Sequence, residues 1–462
     1  MHNFHHIDVL IIIFYIITVL YLGIFHKRKS ISDERDFILS GRKLSMTGFV
    51  ATLVTTWYGA ILGIGENTFL YGIQTWFIWS SPYYIFALGY ALLIAPKIRE
   101  KKHLSIPDHF RETYGEKAGI LSALIISFLS SPAPYILSMG LMLQFLFEIQ
   151  IGTALFISTI FSVAYVWNGG FSSVVKTDYL QFILMFTGFF LLLYFLWIDI
   201  KNPILMVKEL PYKYLDPMGG NTFQYLLVWF FIASWTFIDP GFFQRCAAAE
   251  SPAAARNGIL IAIIFWMIFD CLTITCALYG IGIIQSNQAS LAFPLLAIDI
   301  LPYGFFGIFI TGIIATLMST IDSFSLLSAI SFGRDILWRI QGHKDMNDTM
   351  PYIKKGILII STFSMILAYF LPSIVLLFYV IGSVLIPGLI LPFLNTFRKK
   401  KILIGSNEII NWMSIPMVVS ISWYAISAAK GDVLMGLEPF YPGMFVSVSY
   451  YIWYEKRGRH GN

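Results

Sequence analysis

Charge is what this chain has least of. Only 12% of its 462 residues are Asp, Glu, Lys or Arg, about half the share of a soluble protein. With 57% hydrophobic residues and a mean hydropathy of +0.73, that scarcity excludes a water-soluble enzyme, a nucleic-acid binder and a disordered chain. Cysteine is nearly absent. Cys246, Cys271 and Cys276 are the three, and the spacing of the last two fits neither a metal nor a redox motif. No His falls inside an apolar run, so a nucleophile there has no base beside it and no enzymatic activity is expected. Alternation of apolar and polar residues is missing as well, which excludes a membrane β-barrel.

Long apolar runs are what the chain does have. Each run of 18 or more residues is long enough to cross ~30 Å of hydrocarbon. Thirteen spans are predicted, at about 7–26, 47–72, 76–96, 118–147, 152–170, 177–198, 222–243, 257–283, 303–332, 353–371, 373–396, 409–428 and 438–454. The expected fold class is an all-α polytopic membrane protein forming one transporter-sized domain over 1–462. The first run is not a cleavable signal, because its positive charge (Lys27, Arg28, Lys29) follows it. His2, His5 and His6 are expected in a solvated tail, and no soluble domain is expected after the last span.

Placement of the few charges supports the count. With the N-terminus outside, the inner loops carry 27 of the 31 Lys and Arg, and only Lys201, Lys208, Lys213 and Lys430 lie outside. Every loop pair then obeys the positive-inside rule. This predicts a multi-pass cell (inner) membrane protein with a cytoplasmic C-terminus. The longest outer loop, about 199–221, holds Pro203, Pro211, Pro217 and Gly219–Gly220. It is where two five-span halves would join, with the first span as an extra helix.

Irregular backbone at membrane depth survives only when buried in protein or lining a wet cavity. Span two carries Gly59, Gly63, Gly65 and Gly72 around Glu66 and Asn67, and span seven carries Asp239-Pro240-Gly241 near its inner end. Interruptions at matching places in two halves point to a transporter binding site. Five carboxylates stand out in the spans: Glu66, Asp178, Asp239, Asp270 and Asp322. An acidic group there is a functional candidate by default. No Lys or Arg lies deep in any predicted span, so each must be protonated, lie near an interface or meet a mobile cation. Glu66 and Asp270 have no partner that the sequence identifies. Span nine is the most informative. Thr316, Ser319, Thr320 and Ser323 recur at helical spacing on one face, with Asp322 beside them. Hydroxyls, carbonyls and carboxylates are hard donors that suit a hard cation.

The chain resembles the sodium:solute symporter family over nearly its whole length. The resemblance is carried by Asp36-Phe-Ile-Leu-Ser-Gly-Arg42, Gly63-Ile-Gly-Glu-Asn-Thr-Phe-Leu-Tyr-Gly72 and Ser105-Ile-Pro-Asp-His-Phe-Arg111. It continues through Gly169-Gly170 with Thr177-Asp178 and Gln181, Asp239-Pro-Gly-Phe-Phe-Gln-Arg245, and Met318-Ser-Thr-Ile-Asp-Ser323 running to Arg334-Asp335-Ile336. The resemblance implies a leucine-transporter-like core of two inverted five-helix repeats. Here they map to 47–198 and 222–396, with extra helices at 7–26 and 409–454. It implies Na⁺ as coupling ion, held by carbonyls of Leu53, Thr56 and Thr316 and by the side chains of Ser319 and Thr320. A second cation site nearer the cytoplasm maps to Asp178, Asp322 and Ser323. Asp322 replaces what is often a small or hydroxyl residue, which leaves Na⁺ or H⁺ open for that site.

A small organic solute, an amino acid or organic acid by preference, is expected at mid-membrane against Thr55, Trp57, Tyr58 and Trp235. The expected partners are that solute and the lipid bilayer, without nucleic acid, and the working unit is a monomer. The alternatives are a proton-coupled symporter of the same fold and a solute sensor built on it.

Overall fold

A backbone in hydrocarbon must bond to itself, and this chain meets the demand with helices alone. The structure, a computed structural model, describes residues 5–22, 34–281, 283–284, 286–342, 349–402 and 404–460. Lys27, Arg28, Lys29, Lys344 and His2 lie outside the described residues. Among those described, the sole β-type pairing is an isolated bridge between Leu44 and Ala249.

Helix α1 (His6–Leu20) is followed by the short α2 (Glu34–Leu39). Helices α3 (Met46–Trp57) and α4 (Ile61–Tyr71) are the two halves of one span. Next come α5 (Ser81–Leu93), α6 (Ala95–Glu100), α7 (Ile106–Tyr114), α8 (Glu116–Leu129) and α9 (Ala133–Phe147). α10 (Ile151–Asp199) covers two predicted spans, and α11 (Pro203–Glu209) with α12 (Tyr212–Leu215) fills the long connector. The second half has α13 (Phe223–Ile232), α14 (Pro240–Ala248), α15 (Pro252–Tyr279), α16 (Ala292–Ile300), α17 (Phe305–Ala329), α18 (Thr349–Phe370) and α19 (Ile374–Asn395). α20 (Ser406–Lys430) and α21 (Phe440–His460) close the chain.

Among the described residues, nine helical segments are long and apolar enough to cross a membrane. The other predicted spans fall on shorter or more polar helices: α1, α5, the first part of α10, and α21. No loop separates predicted spans five and six. Gly170 alone redirects α10, with a φ of +55°, a conformation open to glycine at little cost. A Cβ there would also meet the carbonyl oxygen and ring of Phe37 at 2.7 Å.

The segments Met46–Tyr71 and Phe305–Trp338 are the most enclosed, 94% and 89% buried over their apolar windows, against 28% for Ser406–Lys430. The first two are therefore the inner helices, and α20 is peripheral. α1 packs on α17 and is tied to it by a carboxylate. Asp8 Oδ1 accepts the backbone N–H groups of Gly304 (2.7 Å) and Gly307 (2.8 Å). Donors left open at a helix start are met here from another helix.

The basic loops collect at one end of the bundle. Arg42 donates to the carbonyls of Arg99, Lys101 (2.8 Å) and Ala247 (3.0 Å). Arg334, fully enclosed, bonds Glu34, Asp335, Asp108 and Ser105. Arg111 adds a 2.9 Å contact to Asp108. Burial alone pushes the Asp108 carboxyl up, but Arg334 and Arg111 outweigh it and hold it well below the ordinary carboxylate range. This network pins α2, α7 and the extension of α17 together. Replacing Arg334 with Met leaves several carboxylates without their cation, which costs about 3–5 kcal/mol when one partner of a buried pair is removed. The solubilised variant should unfold at a clearly lower temperature in a thermal-shift assay. An unchanged midpoint would mean that the carboxylates find other partners.

Candidate functional site

Both predicted interruptions exist, the first at Gly59 and not at Gly63 or Gly65. α3 ends at Trp57, a 3-10 turn covers Tyr58–Ala60, and α4 resumes at Ile61. Gly63 and Gly65 are helical and serve close packing, Gly65 against the ring of Phe293. In the second half, a 3-10 stretch Ala233–Ile238 follows α13 and Asp239 is extended. Asp239-Pro240 does not finish the span. Asp239 Oδ1 accepts the N–H groups of Gly241 (2.7 Å) and Phe242 (2.9 Å), and Pro240 occupies the first helical turn. This is an N-cap with Pro at its favoured position, so the helix restarts there and runs on to Ala248.

The break in α3 lies against α17. Thr320 Oγ1 donates to the carbonyl of Thr56 at 2.9 Å and lies 3.1 Å from that of Thr316. Ser319 Oγ is 3.3 Å from Thr56 Oγ1 and donates to Asp178 Oδ1 at 2.6 Å. Leu53 is buried on the same helix and lines the adjoining cavity. Carbonyls of Thr56 and Thr316 and hydroxyls of Ser319 and Thr320 thus converge, and such oxygens suit a hard cation. Gly59 permits the approach: a Cβ there would stand 2.5 Å from Thr320.

Asp178 and Asp322 interact electrostatically, but Ser323 takes other partners. Ser323 Oγ lies 3.2 Å from Thr56 Oγ1, on the α3 side. Asp322 faces elsewhere, onto an apolar cavity lined by Ile12, Ile16, Met139, Leu143 and Phe161. Its Oδ2 is buried without a hydrogen-bond partner among the described residues. The reason is angular: on a helix Asp322 falls about 100° from Ser323, which turns it from α3 toward α1 and α9.

Beside the break is a cavity of about 70 Å³, lined by Trp57, Trp79, Tyr83, Tyr135, Trp235, Asp239, Phe242, Arg245 and Phe378 among others. Trp57 and Trp235 are therefore wall residues, one from each interrupted segment. Thr55 and Tyr58 are not, which corrects the expectation for both. The Thr55 hydroxyl bonds back to the carbonyl of Ala51 at 2.8 Å. Tyr58 turns to α15, where its hydroxyl meets Asp270 Oδ1 at 2.9 Å, and Tyr84 bonds the other Asp270 oxygen. Asp270 is thus a buried clasp between α15, the α3–α4 break and α5. Glu66 borders a separate cavity with Tyr225, Trp229, Tyr379 and Glu438.

Arg245 is the residue that sequence reasoning missed. It is fully buried on α14. Its Nη2 reaches Thr56 Oγ1 (2.7 Å), Thr52 Oγ1 (2.9 Å) and Ser323 Oγ (3.0 Å). The expectation that the carboxylates lack a fixed cation is therefore corrected: Arg245 interacts electrostatically with both Asp178 and Asp239. The signal was the Asp-Pro pair, which starts a helix as readily as it ends one.

A second cluster sits at the basic end. His103 Nε2 and Lys101 Nζ each lie 3.0 Å from Glu112 Oε2, with His109 alongside. Lys101 supplies the cation there. Burial lowers the His109 imidazole well below its usual range, and the ring fills space between Phe243 and Phe397.

The family model for the sodium:solute symporter family matches residues 37–400. The chain belongs to the sodium:solute symporter family. It is a transmembrane transport protein, with Na⁺ as its coupling ion. Relatives include the high-affinity choline transporter 1 of Drosophila melanogaster, 23% identical over 94% of this chain and 72% of the relative. The sodium/pantothenate symporter of Haemophilus influenzae is 28% identical over 63% of this chain and 64% of its own length. The sodium/glucose cotransporter 4 of Danio rerio is 23% identical, over 78% of this chain and 62% of its own length. The chain thus spans 62 to 72% of the length of these relatives. Among solved structures, a substrate-bound outward-open Na⁺-coupled sialic acid symporter superposes with a TM-score of 0.79 at 17% identity, covering 97% of this chain and 96% of that one. The nucleobase-cation symporter Mhp1 superposes at 0.57 with 11% identity, over 93% and 96% of the two chains. These likenesses give the fold, a leucine-transporter-like core of two inverted five-helix repeats.

Gly59→Ala forces α3 and α17 apart at Thr320. By analogy with displaced ligand supports it should weaken Na⁺ affinity by about 10- to 100-fold, with fold and expression intact. Na⁺ titration of uptake checks this.

Proposed function

We propose that the protein couples inward movement of Na⁺ to uptake of a small organic solute bearing an amine, by alternating access. The observation that carries the reading is the convergence of the Thr56 and Thr316 carbonyls with the Ser319 and Thr320 hydroxyls beside an aromatic cavity. Leu53 contributes its carbonyl from the same turn of α3. The ion gradient supplies the drive, with the membrane potential adding about 2.3 kcal/mol per charge per 100 mV.

The cavity walls support an amine. Aromatic faces attract ammonium groups, and Asp239 Oδ1 is held by two amides while the residue lines the cavity. An amino acid carries such a group. A bare organic acid lacks it and offers Asp239 nothing to attract. Several relatives are named choline transporters, and choline presents the same chemistry.

The basic end faces the cytoplasm, which puts the N-terminus outside and the C-terminus inside a cell (inner) membrane. The two repeats span 47–198 and 222–396, and one copy of the chain suffices for transport. Ser319→Ala combined with Thr320→Ala should abolish Na⁺-stimulated uptake in proteoliposomes while leaving expression unchanged. A panel of competing amino acids, quaternary amines, sugars and carboxylates in the same assay identifies the solute. Sodium dependence that survives the double substitution would defeat the assignment.

A proton as second coupling ion is the other reading, favoured by Asp322 Oδ2, which is buried without a hydrogen-bond partner among the described residues at an apolar cavity. Asp322→Asn is expected to change the charge-to-solute ratio and flatten the pH dependence of uptake. An unaltered ratio would reduce Asp322 to a packing role.

A further inference from the structure

We propose that Arg245 is the positioning residue that couples ion to solute: its guanidinium and a Na⁺ on the neighbouring oxygens repel one another across the hydroxyls between α3 and α17, and the ion's arrival turns the guanidinium into the solute cavity. The proposal rests on the sodium reading above.

Three observations carry it. First, Nη2 takes Thr56 Oγ1 at 2.7 Å and Ser323 Oγ at 3.0 Å. Thr56 Oγ1 is in turn 3.3 Å from Ser319 Oγ, and the carbonyl of Thr56 is 2.9 Å from Thr320 Oγ1. A cation on the Thr56–Ser319–Thr320 oxygens therefore lies within about two hydrogen bonds of a fixed positive charge. In a water-poor interior, two like charges at that separation repel strongly.

Second, the guanidinium is held on one side only. Nη2 makes the short bonds, Nη1 reaches the carbonyl of Gly241 at 3.3 Å, and Nε is buried with no hydrogen-bond partner. A guanidinium carries five donors, so much of its capacity is unused. The planar group rests on the ring of Phe171 at 5.5 Å, a contact that does not fix rotation.

Third, a second resting place adjoins the first. Arg245 and Asp239 both line the solute cavity, both belong to α14 and its cap, and Arg245 interacts electrostatically with Asp239 as well as Asp178. Turned into the cavity, the guanidinium would face a bound solute's carboxylate while Asp239 faces its ammonium. The solute class is then a zwitterionic amino acid rather than a quaternary amine.

The test uses the full-length protein in detergent with Na⁺ as the only probe. Radioactive Na⁺ binding is measured for wild type, Arg245→Gln and Arg245→Lys. Removing the repelling charge should tighten Na⁺ binding by roughly tenfold or more in Arg245→Gln, while Arg245→Lys stays near wild type. On the wild-type protein, modification of Arg245 by phenylglyoxal, read by mass spectrometry, should increase severalfold when Na⁺ replaces K⁺. This arm needs no variant to fold. Looser or unchanged Na⁺ binding in Arg245→Gln, or labelling indifferent to Na⁺, overturns the repulsion. Wild type that binds no Na⁺ at all removes the sodium reading itself, a different result from either.

Discussion

One hydrogen bond fixes the geometry on which the rest depends: the hydroxyl of Thr320 on the carbonyl of Thr56. It forms where α3 gives way to a 3-10 turn, so the carbonyl it takes belongs to a helix end and not to a continuous ladder. Helix ends leave such groups open, and in hydrocarbon they must find a partner within the protein. The break and the polar face of α17 therefore require each other. Thr56, Ser319 and Ser323 extend the same seam by side-chain contacts of 3.2–3.3 Å.

The second half of the molecule answers with a second break, built from different chemistry. Asp239 caps α14, and the helix that it starts delivers Arg245 to the seam. The cavity between the two breaks takes one tryptophan from each, Trp57 and Trp235. The seam oxygens, the guanidinium and the aromatic walls share a few neighbouring turns. An event at one is therefore felt at the others through direct contact, with no relay over distance.

Much of this was legible beforehand, for identifiable reasons. Helix periodicity in span nine is strong enough that Ser319 and Thr320 declare one face, and the alternation of basic loops located the ends of the bundle. Long-range pairing was not legible. Asp270 finds Tyr58 and Tyr84 across 212 and 186 residues, and nothing local marks either tyrosine. Asp322 was expected beside Ser323, but one residue's rotation about the helix axis sends it toward α1. Arg245 falls two residues beyond the predicted span 222–243, so nothing local marks its burial. The Asp239 cap starts a new helix there, and that helix carries Arg245 into the interior.

The bond from Asp8 to the amides of Gly304 and Gly307 has a consequence for α17. It welds the first helix to the starting end of the one bearing Ser319 and Thr320, and it places a carboxylate where the helix dipole is positive. α17 is thereby anchored at its head. An N-terminal fusion that drags Asp8 from its seat would loosen that anchorage rather than merely decorate the surface.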